Sequence, residues 1–143
     1  MTFPTTNAPL ARALAARGYT VPTAVQLEVL NANASNRDLL VSAQTVSGKT
    51  VAFGLALGST LLGENETLGH AASPLALVIA PTRELAMQVC RELTWLYEST
   101  GARVVTCVGG MDARAEARQL HAGAHIVVGT PGRLRDHLER GRL

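Results

Sequence analysis

Residues 39–50 read LLVSAQTVSGKT, a short apolar run followed at once by a loop that ends in Gly48-Lys49-Thr50. The pattern is close to the phosphate-binding sequence GxxxxGK[ST], with Ala43 in the place of the first glycine. A polyphosphate needs converging backbone N–H groups, a helix N-terminus, an ammonium group for its outer phosphates and a hydroxyl for Mg²⁺. Gly48 permits the close backbone approach, Lys49 supplies the ammonium group and Thr50 the hydroxyl. The stretch therefore predicts a strand, a phosphate-binding loop and a helix.

The composition is that of one folded domain with a slight basic excess. Hydrophobic residues make up 47% and charged residues 17% of the 143 residues, which indicates a buried core rather than disorder. The formal net charge of +2 is too small to indicate a nucleic-acid partner by itself. The basic residues are twelve arginines and a single lysine, Lys49. The one lysine thus stands where the phosphate loop requires an ammonium group.

Cysteine, histidine and hydropathy patterns exclude several classes of protein. Cys90 and Cys107 form no CxxC pair, so we expect buried free thiols in a reducing compartment. The four histidines share no metal-site spacing, and we expect no metal held by protein ligands alone. No apolar run approaches the roughly 20 residues of a membrane span, and no secretory signal is present. We expect a soluble cytoplasmic protein with no membrane contact.

From Asp38 onward, short apolar runs alternate with longer segments of helical period, which predicts a parallel α/β sheet flanked by helices. The predicted strands are residues 39–43, 75–80, 103–108 and 125–129. The predicted helices are residues 9–17, 23–32, 49–62, 83–99, 112–121 and 131–140, and residues 63–74 are a predicted exposed loop. In the helix 83–99 a core-facing stripe is predicted at Leu85, Val89, Leu93 and Leu96.

Further motifs stand on both sides of the phosphate loop in a fixed order. They are residues 18–26 (GYTVPTAVQ), Pro81-Thr82-Arg83-Glu84-Leu85-Ala86, Gly109-Gly110 and Thr130-Pro131-Gly132-Arg133. Together with residues 43–50 they are similar to the Q motif, motif Ia, GG motif, motif Ib and motif I of DEAD-box ATP-dependent RNA helicases. Over essentially its whole length the chain resembles the N-terminal RecA-like lobe of that family.

The resemblance implies a fold and a domain division. The expected fold is a RecA-like P-loop NTPase lobe, a parallel sheet flanked by helices and incomplete at the C-terminus. Residues 1–33 would hold N-terminal helices with the Q motif, and residues 34–143 a partial helicase ATP-binding domain.

The resemblance also implies ATP and Mg²⁺ as cofactors. The nucleotide-binding residues that it implies are Tyr19, Gln26, Ala43, Gln44, Thr45, Val46, Ser47, Gly48, Lys49 and Thr50. Gln26 would read the adenine edge, because its amide donates and accepts at once. Lys49 and Thr50 are the expected catalytic residues, with Thr50 on the Mg²⁺ ion. Val46 departs from the family's motif I, since a β-branched residue disfavours positive φ and crowds a loop around phosphate.

RNA is the partner that the later motifs imply. The expected RNA-binding residues are Pro81, Thr82, Arg83, Gly109, Gly110, Thr130, Pro131, Gly132 and Arg133. Because turns that follow parallel strands emerge at one edge of a sheet, these turns and the phosphate loop should share a face. We expect Thr82 and Thr130 as helix N-caps and Pro131 at a first helical position. Contacts to phosphate and sugar would bind RNA without reading its sequence.

The 143 residues contain neither the family's Asp-Glu-Ala-Asp tetrapeptide nor its second RecA-like lobe with the arginine finger. We therefore expect the chain alone to bind ATP and the RNA backbone but not to hydrolyse ATP or unwind RNA. Two alternatives stay open. One is a non-catalytic RNA-binding or interaction remnant with a nucleotide site weakened by Val46. The other is a different P-loop NTPase, such as a DNA helicase relative.

Overall fold

The computed structural model describes residues 8–18, 46–62, 67–70, 73–110 and 112–143. The helices are α1 (Ala8–Ala16), α2 (Val46–Leu62), α3 (Arg83–Leu96), α4 (Ala113–His121) and α5 (Pro131–Glu139), with a 3₁₀ turn at Glu98–Thr100. The strands are β1 (Ala76–Ile79), β2 (Val104–Cys107) and β3 (Ile126–Gly129). The predicted strand 39–43, the predicted helix 23–32 and residues 19–26 of the Q motif lie outside the described residues.

The chain divides into two compact units. The first comprises residues up to 68 together with residues 95–101, and it contains α1 and α2. The second comprises residues 69–94 and 102–143, and it contains all three described strands. None of the described helices combines the length and the hydropathy that crossing a bilayer requires.

The second unit is built on a parallel sheet with the strand order β1-β3-β2. Gly129 at the end of β3 is the register partner of Ile79 on one side and of Cys107 on the other. All three strands therefore end at the same level. The predicted parallel sheet is confirmed for these three strands, and most strand ends lie one residue inside the predicted bounds, as is common at element ends.

One face of this sheet carries a compact apolar core. Its members are Val105, Cys107, Leu120, Ala124, Val127 and Leu134, and Leu143 packs against them. All four residues of β3 are buried, as expected for a strand covered on both faces. Strand β1 differs from the prediction, because Leu77 and Ile79 remain 47% and 61% exposed. These two side chains alternate with the half-buried Ala76 and Val78, so one face of β1 is more exposed than the other.

Helix α3 ends three residues before its predicted end. Val89, Leu93 and Leu96 are buried and Leu85 is half-buried, so the predicted core-facing stripe is confirmed. After Leu96 the chain tightens into the 3₁₀ turn, where the Thr100 hydroxyl donates to the Tyr97 carbonyl at 2.6 Å. A side-chain donor that bonds a nearby carbonyl competes with continuation of the α-helix.

Tyr97 links the segment after α3 to α2 within the first unit. Its ring is fully buried, and its hydroxyl donates to the carbonyl of Gly54 at 2.6 Å. Burial raises the pKa of the Tyr97 hydroxyl above its ordinary value. Ser99 then donates its hydroxyl to the carbonyl of Pro9 at 3.2 Å, which ties the same segment to α1.

Gly129 can be tested as the residue that permits the close approach of β2 and β3. A Cβ atom there would lie 2.5 Å from the Cys107 carbonyl oxygen and 2.7 Å from the Leu134 side chain. We expect Gly129→Ala to lower the free energy of unfolding by about 1–3 kcal/mol, the usual cost of overpacking. Urea denaturation measures this change.

Gly132→Ala is the matched control, because a Cβ atom at Gly132 would meet nothing within 4 Å. Its stability should stay within about 0.5 kcal/mol of the original chain. Equal stability of the Gly129→Ala chain would contradict the packing argument.

Candidate nucleic-acid interface

Three of the predicted binding turns lie side by side at the carboxyl end of the sheet. The Ala80 N–H donates to the Gly129 carbonyl at 2.9 Å, and the Thr130 N–H donates to the Cys107 carbonyl at 3.1 Å. These bonds continue the sheet pairing into the turns. We call residues 81–83, 109–110 and 130–133 the three-turn edge.

The predicted gathering of the later turns at one sheet edge is thus present in the second unit. Residues 43–45 of the phosphate loop lie outside the described residues, so their place on the same face stays a prediction. Within the three-turn edge, Pro81, Thr82, Gly109, Gly110 and Gly132 are exposed.

Two helices begin at this edge, and their starts differ in capping. At the start of α3 the Leu85 N–H donates to the Thr82 hydroxyl at 3.2 Å, which confirms Thr82 as a side-chain cap. Thr130 has the extended backbone of an N-cap, with Pro131 at the first helical position, but its hydroxyl makes no capping bond. The Thr130 hydroxyl therefore leaves the first-turn N–H groups of α5 uncapped. Such N–H groups are the donors that an anion requires.

Arg83 and Gly110 bring the first and second turns into contact. Gly110 has a φ of +82°, and a Cβ atom there would lie 2.6 Å from Nη1 of Arg83. The guanidinium group thus packs directly on the glycine backbone. A side chain at Gly110 would be strained by its φ and would displace Arg83.

A buried carboxylate connects the second turn to the third. Glu116 accepts through Oε2 from the Val108 N–H, and through Oε1 from Nη1 of Arg133 and from Nε2 of His137, each at 2.9 Å. The side chain of Glu116 is 8% exposed and that of Arg133 is 15% exposed. Arg133, a predicted RNA-binding residue, therefore directs Nη1 to a carboxylate of the same chain, and its contact with RNA stays a prediction.

Sequence reasoning missed Glu116 and His137. A usable signal exists for Glu116, which stands four residues before the buried Leu120 and so lies on the core-facing side of α4. For His137 the signal is its spacing of four from Arg133, which places both side chains on one face of α5. Neither signal names the partner.

Cys107, Glu116 and His137 are also close enough to be considered as metal ligands, with their ligand atoms within 4.8 Å of one another. Both carboxylate oxygens already accept from donors, and one of these donors is the guanidinium group of Arg133. Burial raises the pKa of the Cys107 thiol to about 12, so the sulfur carries its proton at neutral pH. The arrangement fits a buried ion-pair network, since a metal would have to displace Arg133 and deprotonate this thiol.

Helix α2 carries the described part of the predicted nucleotide site. It begins at Val46, three residues before the predicted start at Lys49. The helical conformation suits a β-branched residue that disfavours positive φ. The first four N–H groups of a helix have no intrahelical acceptor, so this start can offer donors to phosphate. Thr50 is buried. The other predicted nucleotide contacts Tyr19, Gln26, Ala43, Gln44 and Thr45 lie outside the described residues.

Comparison with known proteins identifies what the chain is similar to. A family described as "DEAD/DEAH box helicase" matches residues 23–143. The "ATP-dependent RNA helicase DeaD" of Escherichia coli strain K12 is 44% identical over 138 residues, which are 96% of this chain and 21% of that protein. The "DEAD-box ATP-dependent RNA helicase CshA" of Bacillus licheniformis is 40% identical over 131 residues, 92% of this chain and 26% of that protein. The chain thus spans about a fifth to a quarter of the length of these relatives.

Solved structures agree with the sequence comparison. The RNA helicase Prp28 from Chaetomium thermophilum, bound to ADP, matches with a TM-score of 0.79 and 39% identity over 92% of this chain and 32% of its own. A hypothetical ATP-dependent RNA helicase from Sulfolobus tokodaii matches with a TM-score of 0.81 and 28% identity, over 96% of this chain and 38% of its own. The described sheet and helices therefore have the fold of a RecA-like helicase lobe.

The raised pKa of Cys107 predicts a loss of stability at alkaline pH. The folded state holds the thiol proton more tightly than the unfolded state, whose thiol has a pKa of about 8.5. The stabilisation is complete below that pH and is lost as the pH rises towards about 12. We expect the free energy of unfolding of Cys107→Ala to fall less steeply between pH 8 and 11 than that of the original chain.

Thr106→Ala is the control, because it alters the neighbouring position on β2 without removing an ionisable group. It should shift the stability curve without changing its slope. Parallel curves for Cys107→Ala and the original chain would contradict the assignment.

Proposed function

The chain belongs to the DEAD/DEAH box helicase family, and we propose that it binds ATP and the RNA backbone as the first-lobe part of an ATP-dependent RNA helicase. The relatives that it matches carry that activity in their names. The observation that carries the RNA half of the proposal is the level end of three parallel strands at Gly129. It brings three motif turns to one edge, where exposed backbone can meet a phosphate chain.

RNA would contact the three-turn edge mainly through backbone groups. The start of α5 offers N–H groups that the Thr130 hydroxyl does not cap, and a Cβ atom at Gly132 would point into open space. A strand's phosphates can therefore approach Gly132 closely. Arg83 adds an exposed guanidinium group beside Gly110. Such contacts reach phosphate and sugar, so the proposed binding is independent of base sequence.

ATP with Mg²⁺ would occupy the loop that leads into α2. Lys49 would hold the outer phosphates, Thr50 the Mg²⁺ ion, and Gln26 with Tyr19 the adenine. The first turn of α2 supports this proposal by its N–H groups. When bound, Mg²⁺ neutralises charge on the β- and γ-phosphates.

The proposed role is binding without turnover by these 143 residues alone, which contain no Asp-Glu-Ala-Asp sequence. Residues 1–33 would carry the Q motif and residues 34–143 the partial ATP-binding domain. A second RecA-like lobe would have to supply the arginine finger. We propose a cytoplasmic setting, which the two free thiols Cys90 and Cys107 support.

A second candidate is a non-catalytic RNA-binding remnant whose nucleotide site has weakened. The start of α2 at Val46 favours it, because a helical Val46 shortens the loop that must wrap the phosphates. Both candidates share RNA binding and differ in ATP affinity.

RNA binding can be measured with a fluorescently labelled oligouridylate and fluorescence anisotropy. We expect the affinity to fall as the salt concentration rises. We also expect unlabelled RNA to displace the labelled RNA better than single-stranded DNA of the same length does. Gly132→Ala should weaken binding while leaving the fold intact, because its Cβ atom occupies the space that a phosphate would take. Gly69→Ala is the matched control, since its Cβ atom also meets nothing within 4 Å but lies outside the three-turn edge. Preferential binding of DNA would favour the alternative of a DNA helicase relative.

The ATP affinities of the original chain and of Val46→Gly distinguish an ATP-binding lobe from the non-catalytic remnant. We expect the original chain to bind ATP measurably in calorimetry, and Val46→Gly to bind more tightly because glycine adopts the loop conformation freely. Neither chain should release phosphate from ATP, with or without RNA. Binding by the glycine variant alone would establish the remnant candidate, and RNA-stimulated turnover by the original chain would refute binding without hydrolysis.

A further inference from the structure

The turn after β2 and the turn after β3 share one buried acceptor. Val108, whose N–H donates to Glu116, directly precedes Gly109-Gly110. Arg133, which donates to the same carboxylate, closes the Thr130-Pro131-Gly132-Arg133 turn. Glu116 itself lies on α4, outside every motif that the sequence singled out.

The three donors leave Glu116 little freedom. His137 is fully buried and donates to the same Oε1 atom as Arg133. The other ring nitrogen of His137, Nδ1, has no hydrogen-bond partner among the described residues. One carboxylate thus accepts from a strand end, from the first turn of α5 and from the following turn of α5.

We propose that Glu116 is the positioning residue of the three-turn edge, and that Arg133 acts on RNA through Glu116 rather than as a direct phosphate ligand. The inference rests on the proposed RNA binding and deepens it. Glu116 holds the end of β2 and the start of α5 in one fixed arrangement, so that the Gly109-Gly110 turn and the N–H groups of α5 meet the same phosphate chain. The positive charge of Arg133 is balanced by the Glu116 carboxylate in this internal ion pair.

Removing a negative charge makes the sign of the effect diagnostic. A carboxylate close to bound phosphates repels them, so Glu116→Gln should strengthen RNA binding if Glu116 contributes only its charge. A positioning role predicts the opposite. The single carbonyl oxygen of glutamine cannot accept from Val108, Arg133 and His137 in the way that two carboxylate oxygens do.

The experiment measures the affinity of the whole chain for labelled oligouridylate by anisotropy. We expect Glu116→Gln to weaken binding by about tenfold, the size that losing one charge-assisted hydrogen bond predicts. Glu139→Gln is the matched control, because Glu139 lies on α5 with a side chain that is 63% exposed. It removes the same charge, and its affinity should equal or exceed that of the original chain.

Two further variants separate positioning from charge and from misfolding. Glu116→Asp keeps the charge but withdraws the carboxylate by one methylene group, so we expect it to lose affinity as well. Full affinity of Glu116→Asp would overturn the proposal. If Glu116→Gln unfolds, His137→Leu removes one donor while keeping the Glu116–Arg133 pair, and it should weaken RNA binding without changing the salt dependence.

The slope of log affinity against log salt tests the role given to Arg133. A residue that neutralises a phosphate of single-stranded RNA contributes about 0.7 to this slope. Arg83→Gln should lower the slope by that amount, whereas Arg133→Gln should weaken binding with the slope unchanged. The double variant Glu116→Gln with Arg133→Gln should bind no worse than the weaker single variant, because both act through one bond.

The outcomes distinguish the two levels of the proposal. No binding of oligouridylate by the original chain refutes the proposed function, and the RNA role of Glu116 with it. Binding by the original chain that Glu116→Gln leaves unchanged or strengthens overturns this inference alone. A lower slope for Arg133→Gln also overturns it, because Arg133 would then be a phosphate ligand.

Discussion

The close approach of β2 to β3 at Gly129 is the constraint on which the three-turn edge depends. A side chain at this position would meet the Cys107 carbonyl and Leu134. Without one, the Thr130 N–H reaches the Cys107 carbonyl, and the first turn of α5 can pack over the end of the sheet. The level ends of three strands convert three separate motifs into one surface. Gly129 serves the approach of the chain to itself, whereas we propose that the motif glycines outside the strand serve the approach of a ligand.

The carboxylate of Glu116 adds a second constraint of a different kind. Burying a charge is costly unless its partners satisfy it, and replacing such a pair by apolar residues often costs a protein no stability. Stability alone therefore does not explain an ion pair between Glu116 and Arg133. A fixed geometry does, because directional bonds from Val108, Arg133 and His137 define where α5 begins relative to the end of β2. Apolar packing would fill the same space with less directional control.

The sequence predicted the features that depend on residues close together in the chain. The alternation of apolar runs and helical periods predicted the parallel sheet, and the position of Thr82 before a helical segment predicted its capping bond. The bonds of Glu116 to Arg133 and His137 join residues 17 and 21 positions apart, and they depend on how α4 and α5 pack. No periodicity encodes that pairing. The start of α2 at Val46 was predicted only in part. The sequence showed that a β-branched residue is unfavourable in the phosphate loop, but it did not show that Val46 would adopt a helical conformation.

The arginine-rich composition also takes its meaning from contacts rather than from counts. Arg135 pairs with Glu139 and Arg140 with Asp136 on the surface of α5, and Arg140 lowers the pKa of the Asp136 carboxyl. Arg103 donates to the Gly123 carbonyl and to Gln119, while Arg133 is bound to Glu116. Each of these guanidinium groups is thus bonded within the chain. In the proposed RNA binding, phosphate recognition at the three-turn edge would then come largely from helix N-termini and close glycine backbone, with Arg83 as an added cation. A net charge of only +2 is compatible with binding a polyanion on these terms, because the attracting dipoles carry no net charge.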